Sequence, residues 1–362
     1  MDSTLFASKP TTRRLTWSLV IATYKRDHIL LRCLTFAAAQ RRQPVEIIVV
    51  DASPNWGDTQ RVIMQSLAAS HINIRWIYVQ AERASSASQR NQGAALATSD
   101  VLFFIYDDSF MYPECAEATM EVYELDTNQQ IAGVGAVLVD GPPGVEAPAS
   151  LRLTRKRPYF NPFRGMKRKI RDLLRADDIF VPYDKGFPDH CVGANVDVPY
   201  IRTRLLSGCR ASFRRHLFQQ EPFENILERY ALGEDSDMSY RVSRRGALVI
   251  ALQAKIHHLQ IHGGRLSPRL VTAFGAMNAA VLLRIHSTQS QSVSKIRYRR
   301  LLFRRLAIQF LKDLSKWRWS FPHARGIWHA IRMQGRIFCR TEQELREWYP
   351  QYQQSLIARE VS

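Results

Sequence analysis

Two adjacent carboxylates, Asp107 and Asp108, close the apolar run Val101–Tyr106. Side by side they repel, and such a pair is tolerated when a cation sits with it. A divalent ion there would hold phosphate oxygens, which points to a metal–nucleotide site. A solvated turn after a core strand is the other reading of Asp107-Asp108-Ser109 alone. Further clusters lie along the chain. One apolar run ends in Ala22-Thr23-Tyr24-Lys25-Arg26 and another in Val49-Val50-Asp51. An Asp so placed can accept from a base N–H or a ribose hydroxyl, and a Tyr can stack on a base; ordinary capping is the simpler reading of Asp51 by itself. Arg90, in Arg90-Asn91-Gln92-Gly93, could pair with a diphosphate through its two-pronged guanidinium. A solvated helical arginine is equally compatible. Glu234-Asp235-Ser236-Asp237 opens a helix with more carboxylates than a cap requires, so a general base is credible there. His257-His258 ends a strand, and neighbouring imidazoles suit a metal.

These residues need elements to hold them. From Trp17 the pattern predicts alternation: strands over 18–22, 46–51, 74–79 and 101–106, with helices over 26–39, 59–69 and 86–97. Unbroken apolar strands alternating with helices predict a parallel sheet covered on both faces. Ligand crevices in such sheets lie at the C-terminal strand ends, where the clusters above fall. A helix over 113–125 and a strand over 131–139 follow, then an irregular segment over 141–200. Core pattern resumes at 205–213, with a helix over 235–243 and a strand over 247–256. Beyond Leu266 the pattern is helical.

The chain has 362 residues, net charge +18 and pI near 10.0. An anionic partner follows from that charge. Basic residues crowd 152–175 and 295–340, and the second block contains a single acid, Asp313. The five scattered cysteines predict reduced thiols in a cytosolic setting and no zinc site. No apolar signal region precedes Trp17, and no run nears the ~20 apolar residues that span a bilayer.

In order and spacing, 20–26, 48–51, 90–93, 106–109, 208–213, 234–237 and 254–258 resemble the inverting family-2 glycosyltransferases of the GT-A fold, of the bacterial cell-surface polysaccharide type. The resemblance implies an α/β GT-A fold, Rossmann-like, with a mostly parallel central sheet and helices on both faces. It places the catalytic domain at 15–265, carrying an irregular acceptor-side insertion at 141–200, and leaves a basic helical region at 266–350. It also implies transfer of a sugar from a nucleoside diphosphate donor, UDP- or dTDP-sugars being favoured, to a hydroxyl of a glycan or lipid-linked glycan. Carried over, Ala22, Thr23, Tyr24 and Asp51 would hold base and ribose. Arg26, Arg83 or Arg90 would meet the diphosphate, with Asn91 also at the nucleotide sugar. Asp107 would lie at the ribose and sugar. Asp108 would hold Mg2+ or Mn2+, His258 would help bind the metal or the diphosphate, and Asp235 would be the base, with Glu234 as its rival. Two departures stand out: Ser109 occupies the place of a frequent third Asp, and Ala52 follows Asp51 where an acidic doublet is usual.

The basic helices suggest an anionic membrane surface met through 295–340, at the cytoplasmic face; a basic cap packed on the core explains the same periodicity. Binding of nucleic acid is a reading from another class. The chain lacks a recognised nucleic-acid motif, and its acidic clusters would repel a phosphate backbone, so no nucleic acid is expected. A nucleotidyltransferase would also use strand-end carboxylates, but 22–27 contains no Gly.

Overall fold

Three apolar runs become the inner strands of one sheet. These are β1 (Trp17–Thr23), β2 (Glu46–Asp51) and β4 (Val101–Tyr106), with β3 (Arg75–Gln80) at the edge. The computed structural model describes residues 14–144, 198–229, 231–261 and 266–361. The expected N-terminal tail, most of the segment 141–200 and the run His262-Gly263-Gly264-Arg265 lie outside the described residues.

The strands β1 to β4 are mutually parallel, as the alternation predicts. Their connections are α1 (Asp27–Ala38), α2 (Trp56–Ile63) and α3 (Ser86–Leu96). The helix expected over 59–69 starts earlier and finishes in a π turn at Met64–Ala68. The short β5 (Ser109–Met111) follows β4 directly, before α4 (Cys115–Leu125) and β6 (Ile131–Leu138). Next come β7 (Tyr200–Thr203), β8 (Ala211–Arg214), α5 (Arg215–Gln220), α6 (Glu234–Ser243) and β9 (Ala247–His258).

The strand order is β3-β2-β1-β4-β8-β6-β9-β5, with β7 also on β9. Past β4 the sheet is mixed. The strand β8 runs antiparallel to both β4 and β6, β6 and β9 are parallel, and β5 and β7 are antiparallel to β9. Antiparallel neighbours need no helical crossover, so short strands can close this half of the sheet.

Side chains of the inner strands alternate between two cores. Leu19, Ile21, Ile47, Val49, Phe103 and Ile105 face α1 and α4; Val20, Ile48, Val50, Leu102 and Phe104 face α3 and α6. The second core extends into the C-terminal helices α7 (Pro268–His286), α9 (Pro322–Phe338) and α10 (Glu342–Val361), while α8 (Gln291–Ser315) contributes little more than Tyr298 and Leu302. At Gly326 of α9, a Cβ would stand 2.6 Å from the Arg269 carbonyl oxygen, so the α7–α9 crossing requires glycine. The helical region runs past 350 to Val361. Among the described residues no helix is long and apolar enough to cross a membrane.

Two polar networks, one buried and one reaching the surface at Arg346, lock α10 in place. Asn278 Oδ1 accepts from Tyr349 Oη at 2.6 Å and from Gln353 Nε2 at 3.0 Å. Glu224 accepts from Arg346 at 2.6 and 3.2 Å and faces His286 Nε2 at 3.1 Å. Burial pushes the Glu224 carboxyl up, but His286 and Arg346 outweigh it and hold the group down at about 2, against an ordinary 4.5. A carboxyl depressed in the folded state stabilises above its unfolded pKa and loses that contribution as pH falls toward the folded one. Glu224→Gln should therefore cost about 1–3 kcal/mol at neutral pH. The difference from the parent should shrink between about pH 4.5 and 2, read by denaturant unfolding across that range.

Candidate active site

The carboxyl end of the parallel strands gathers most of the candidate residues. Thr23 ends β1, Asp51 ends β2, and Asp107 and Asp108 follow β4. Ala22 is the ladder partner of both Tyr106 and Val50, so it sets the spacing of these strand ends. Asp107 accepts from Thr23 Oγ1 at 2.8 Å and from Arg26 Nη1 at 2.9 Å, and Arg26 also reaches Asp108 at 3.4 Å. Arg26 thus offsets part of the repulsion between the two acids.

The ladder of β5 and β9 explains how His258 arrives here. Ser109 and His258 are partners in that ladder, which seats the imidazole against the residue before Ser109. His258 Nε2 stands 3.2 Å from Asp108 Oδ1, and the Ile261 N–H donates to Asp108 Oδ2 at 3.2 Å. Asp108 Oδ1 is buried and lacks a well-directed hydrogen bond. Burial raises both carboxyls, but with opposite outcomes. At Asp107 burial prevails, with Asp108 adding to it, and the group is raised. At Asp108 the contacts of His258, Ile261 and Arg26 prevail and the group is lowered. Burial would lower His258, but Asp108 and Cys209 overcome it and hold the imidazole up at about 9.

The under-coordinated Asp108 oxygen fits a hard divalent cation, and His258 would join it as a ligand only by giving up the proton that its raised pKa holds at neutral pH. Such ions commonly take one or two protein ligands and complete their shell with phosphate oxygens and water. Among the described residues no group of three or more His, Cys, Asp or Glu is placed to hold an ion alone. A metal bound here would thus need oxygens from a ligand.

Asp51 is 1% exposed, and its oxygens accept from Tyr78 Oη at 2.5 Å and from the Ser53 N–H at 2.7 Å. Tyr24 is exposed at the rim, with the Arg229 guanidinium 5.2 Å from its ring centre. Gln89, which the sequence reading passed over, is buried and donates to the carbonyls of Thr23 and Val50, tying the ends of β1 and β2 together.

Three residues expected at the nucleotide sugar are engaged elsewhere. Arg90 is 1% exposed, donates to Glu234 Oε1, and lies 5.1 Å from the Tyr106 ring and 5.2 Å from the Phe223 ring. Asn91 donates to the Phe223 carbonyl and to Asn225 Oδ1, both at 2.7 Å. Arg83 pairs with Glu228 at 2.6 Å. A helical Arg or Asn looks the same in sequence whether it faces a ligand or a loop 132–144 residues away.

Glu234 and Asp235 part company at the start of α6. Glu234 is buried, holding Arg90 and accepting from Ser86 Oγ at 2.9 Å. Burial and the neighbouring Asp235 push its carboxyl up to about 7 against the pull of Arg90. Asp235 is half-buried, and its Oδ2 lies 3.5 Å from the Gly208 nitrogen. A Cβ at Gly208 would meet Tyr106 Oη at 3.0 Å and Arg90 Nη1 at 3.1 Å, so this glycine lets Asp235 approach the end of β4. Losing one partner of a buried ion pair costs about 3–5 kcal/mol. Glu234→Gln should therefore lower unfolding stability by about that amount, and Asp235→Asn by under ~1 kcal/mol, as measured by denaturant titration.

Residues 18–180 match the family described as Glycosyl transferase family 2. The solved structure of GalNAc-T7 with UDP, GalNAc and Mn2+ is similar, with TM-score 0.53 and 13% identity; the match covers 93% of this chain and 58% of that one. Mannosyltransferase PcManGT of Pyrobaculum calidifontis, with GDP-Man and Mn2+, aligns at TM-score 0.49 and 13% identity over 89% of this chain and 88% of that one. TarS 1-349 of S. aureus with UDP-GlcNAc aligns at TM-score 0.49 and 12% identity over 94% and 88%. No curated protein matches the chain. By the family match and by the strand-end acids set in this sheet, residues 18–180 carry a glycosyl transferase family 2 domain, built on a sheet of the GT-A type.

Proposed function

We propose that the chain transfers a sugar, with inversion, from a nucleoside diphosphate sugar to a hydroxyl of a glycan or lipid-linked glycan. The observation that carries this reading is Asp108 Oδ1: buried, anionic, short of hydrogen bonds and facing His258. UDP- and dTDP-sugars are the favoured donors, and the UDP and Mn2+ in the similar GalNAc-T7 structure agree with that choice. Tyr24 offers its ring to the base and Asp107 accepts from ribose or sugar hydroxyls, while Asp51, buried with Tyr78 and the Ser53 N–H on its oxygens, shapes the end of β2 beside them. Arg26, already bridging the acids, is the cation best placed for the diphosphate. Mg2+ or Mn2+ held by Asp108 and His258 would offset the charge developing on the leaving diphosphate.

Asp235 takes the proton of the acceptor hydroxyl as that oxygen bonds to the anomeric carbon. The bond from that carbon to the diphosphate oxygen breaks, and the nucleoside diphosphate departs with the electron pair. Attack opposite the leaving group inverts the centre. Arg90 and Glu234 do not touch the reacting atoms in this scheme; they hold the start of α6, and hence Asp235, against the end of β4.

Two experiments test the assignments. Asp108→Asn should abolish metal-dependent UDP binding by calorimetry while the fold persists, and turnover of the parent in excess EDTA would refute the metal role. Asp235→Asn should lower kcat by roughly 10²–10⁴-fold and leave UDP affinity near the parent's. Near-normal kcat in Asp235→Asn would move the base elsewhere.

A further inference from the structure

The basic C-terminal block divides into two helices with opposite fates. The apolar face of α9 is consumed: Ala324, Ile327, Ala330, Met333, Ile337 and Phe338 are all buried, against α7 and its neighbours. On α8 only Ser294, Tyr298, Leu302 and Asp313 are buried. Its other face carries Val293, Ile296, Phe303, Ala307, Phe310, Leu314 and, just past its end, Trp317, at alternating spacings of three and four broken only by Arg300. Phe303, Phe310 and Leu314 are 45%, 46% and 41% exposed, and Trp317 and Trp319 reach 76% and 63%. An apolar stripe of this length left open to water marks an interaction surface.

What covers it is indicated by charge. Between 291 and 319 there are nine basic residues and one acid, and that acid, Asp313, is buried and accepts from the backbone of His323 and Ala324. The stripe is flanked on both sides by cations, among them Arg297 and Arg304 along one edge and Arg299 along the other. Pairing with a second α8, parallel or antiparallel, would set arginine against arginine at these flanks. The complementary surface is therefore anionic and apolar at once. The turn after α8 adds an aromatic tip, with Trp317 and Trp319 edge to face at 5.6 Å and Phe310 stacked on Phe321 at 4.9 Å. Tryptophan favours the boundary between headgroups and acyl chains, and flanking arginines reach back to the headgroup phosphates.

We infer that the exposed stripe of α8, with the Trp317–Trp319 tip, docks the protein on an anionic lipid surface. Aromatic and aliphatic side chains enter the interface, and the arginines beside them meet the phosphates. Docking is separate from donor chemistry, so it stands or falls independently of the glycosyl-transfer reading.

The test is flotation of the full chain with vesicles of phosphatidylcholine alone and of phosphatidylcholine with 30% phosphatidylglycerol, at low and high salt. The full chain should float with the anionic vesicles only, and release as salt rises. Trp317→Ser with Trp319→Ser, and separately Arg297→Glu with Arg304→Glu, should each weaken flotation by roughly tenfold or more, at unchanged melting temperature and unchanged UDP binding. The exposed positions make misfolding of all four changes together an unreasonable explanation of a loss. Absence of flotation at low salt would overturn the inference. So would a concentration-dependent dimer in sedimentation that the tryptophan changes dissolve, or equally salt-sensitive binding to duplex DNA with no flotation.

Discussion

A guanidinium and a carboxylate removed from water together hold the halves of the site in register. Arg90 and Glu234 are 144 residues apart in sequence and almost wholly buried. Burying charges of this kind costs several kcal/mol per ion unless geometry and further contacts compensate. The surroundings show that compensation: two aromatic rings against the guanidinium, a serine hydroxyl on the carboxylate, and a glycine where any side chain would crowd the pair. Because Arg90 belongs to the helix behind β1 and β2, and Glu234 opens α6, the pair joins the β1–β2 side of the site to the side carrying Asp235. Asp235 inherits its position from a contact it does not make.

How much of this could be read from the residues depends on what kind of partner each one has. The strands β1, β2 and β4 were legible because burial on both faces leaves an uninterrupted apolar run. Asp107 and Asp108 were legible for a related reason: two acids after such a run have no packing rationale. By contrast, β5, β7 and β8 are three or four residues long and owe their pairing to neighbours far along the chain. Local pattern carries little trace of them. Arg90 and Asn91 were noticed as polar residues worth explaining, yet only tertiary contacts reveal that they bind protein. Helical periodicity likewise finds an apolar face without saying whether anything covers it. That is why α8 and α9 read alike and fold differently.

Electrostatics sorts the two acids that sequence presents as equals. Both suffer burial, but Asp107 receives its relief from Thr23 and Arg26, whereas Asp108 sits beneath His258 and the Ile261 N–H. The result is a division of labour within one dipeptide. Asp108 is held down while Asp107 is raised, so the better-stabilised carboxylate is the one that faces His258.

The ladder between β6 and β9 contains a counting step. Ala136 pairs with Ala251, but Val137 pairs with Lys255, so Leu252, Gln253 and Ala254 are accommodated without partners on β6. Everything after that bulge is displaced along the strand, and the displacement sets which residue of β9 lies opposite Ser109. Strand side chains alternate faces, so losing one bulge residue would turn Ile256 out of its core and carry a different side chain to Asp108. The imidazole at the acidic pair is thus fixed by arithmetic of chain length as much as by chemistry. Substitutions at the exposed Leu252 and Gln253 can be absorbed there; insertions and deletions cannot.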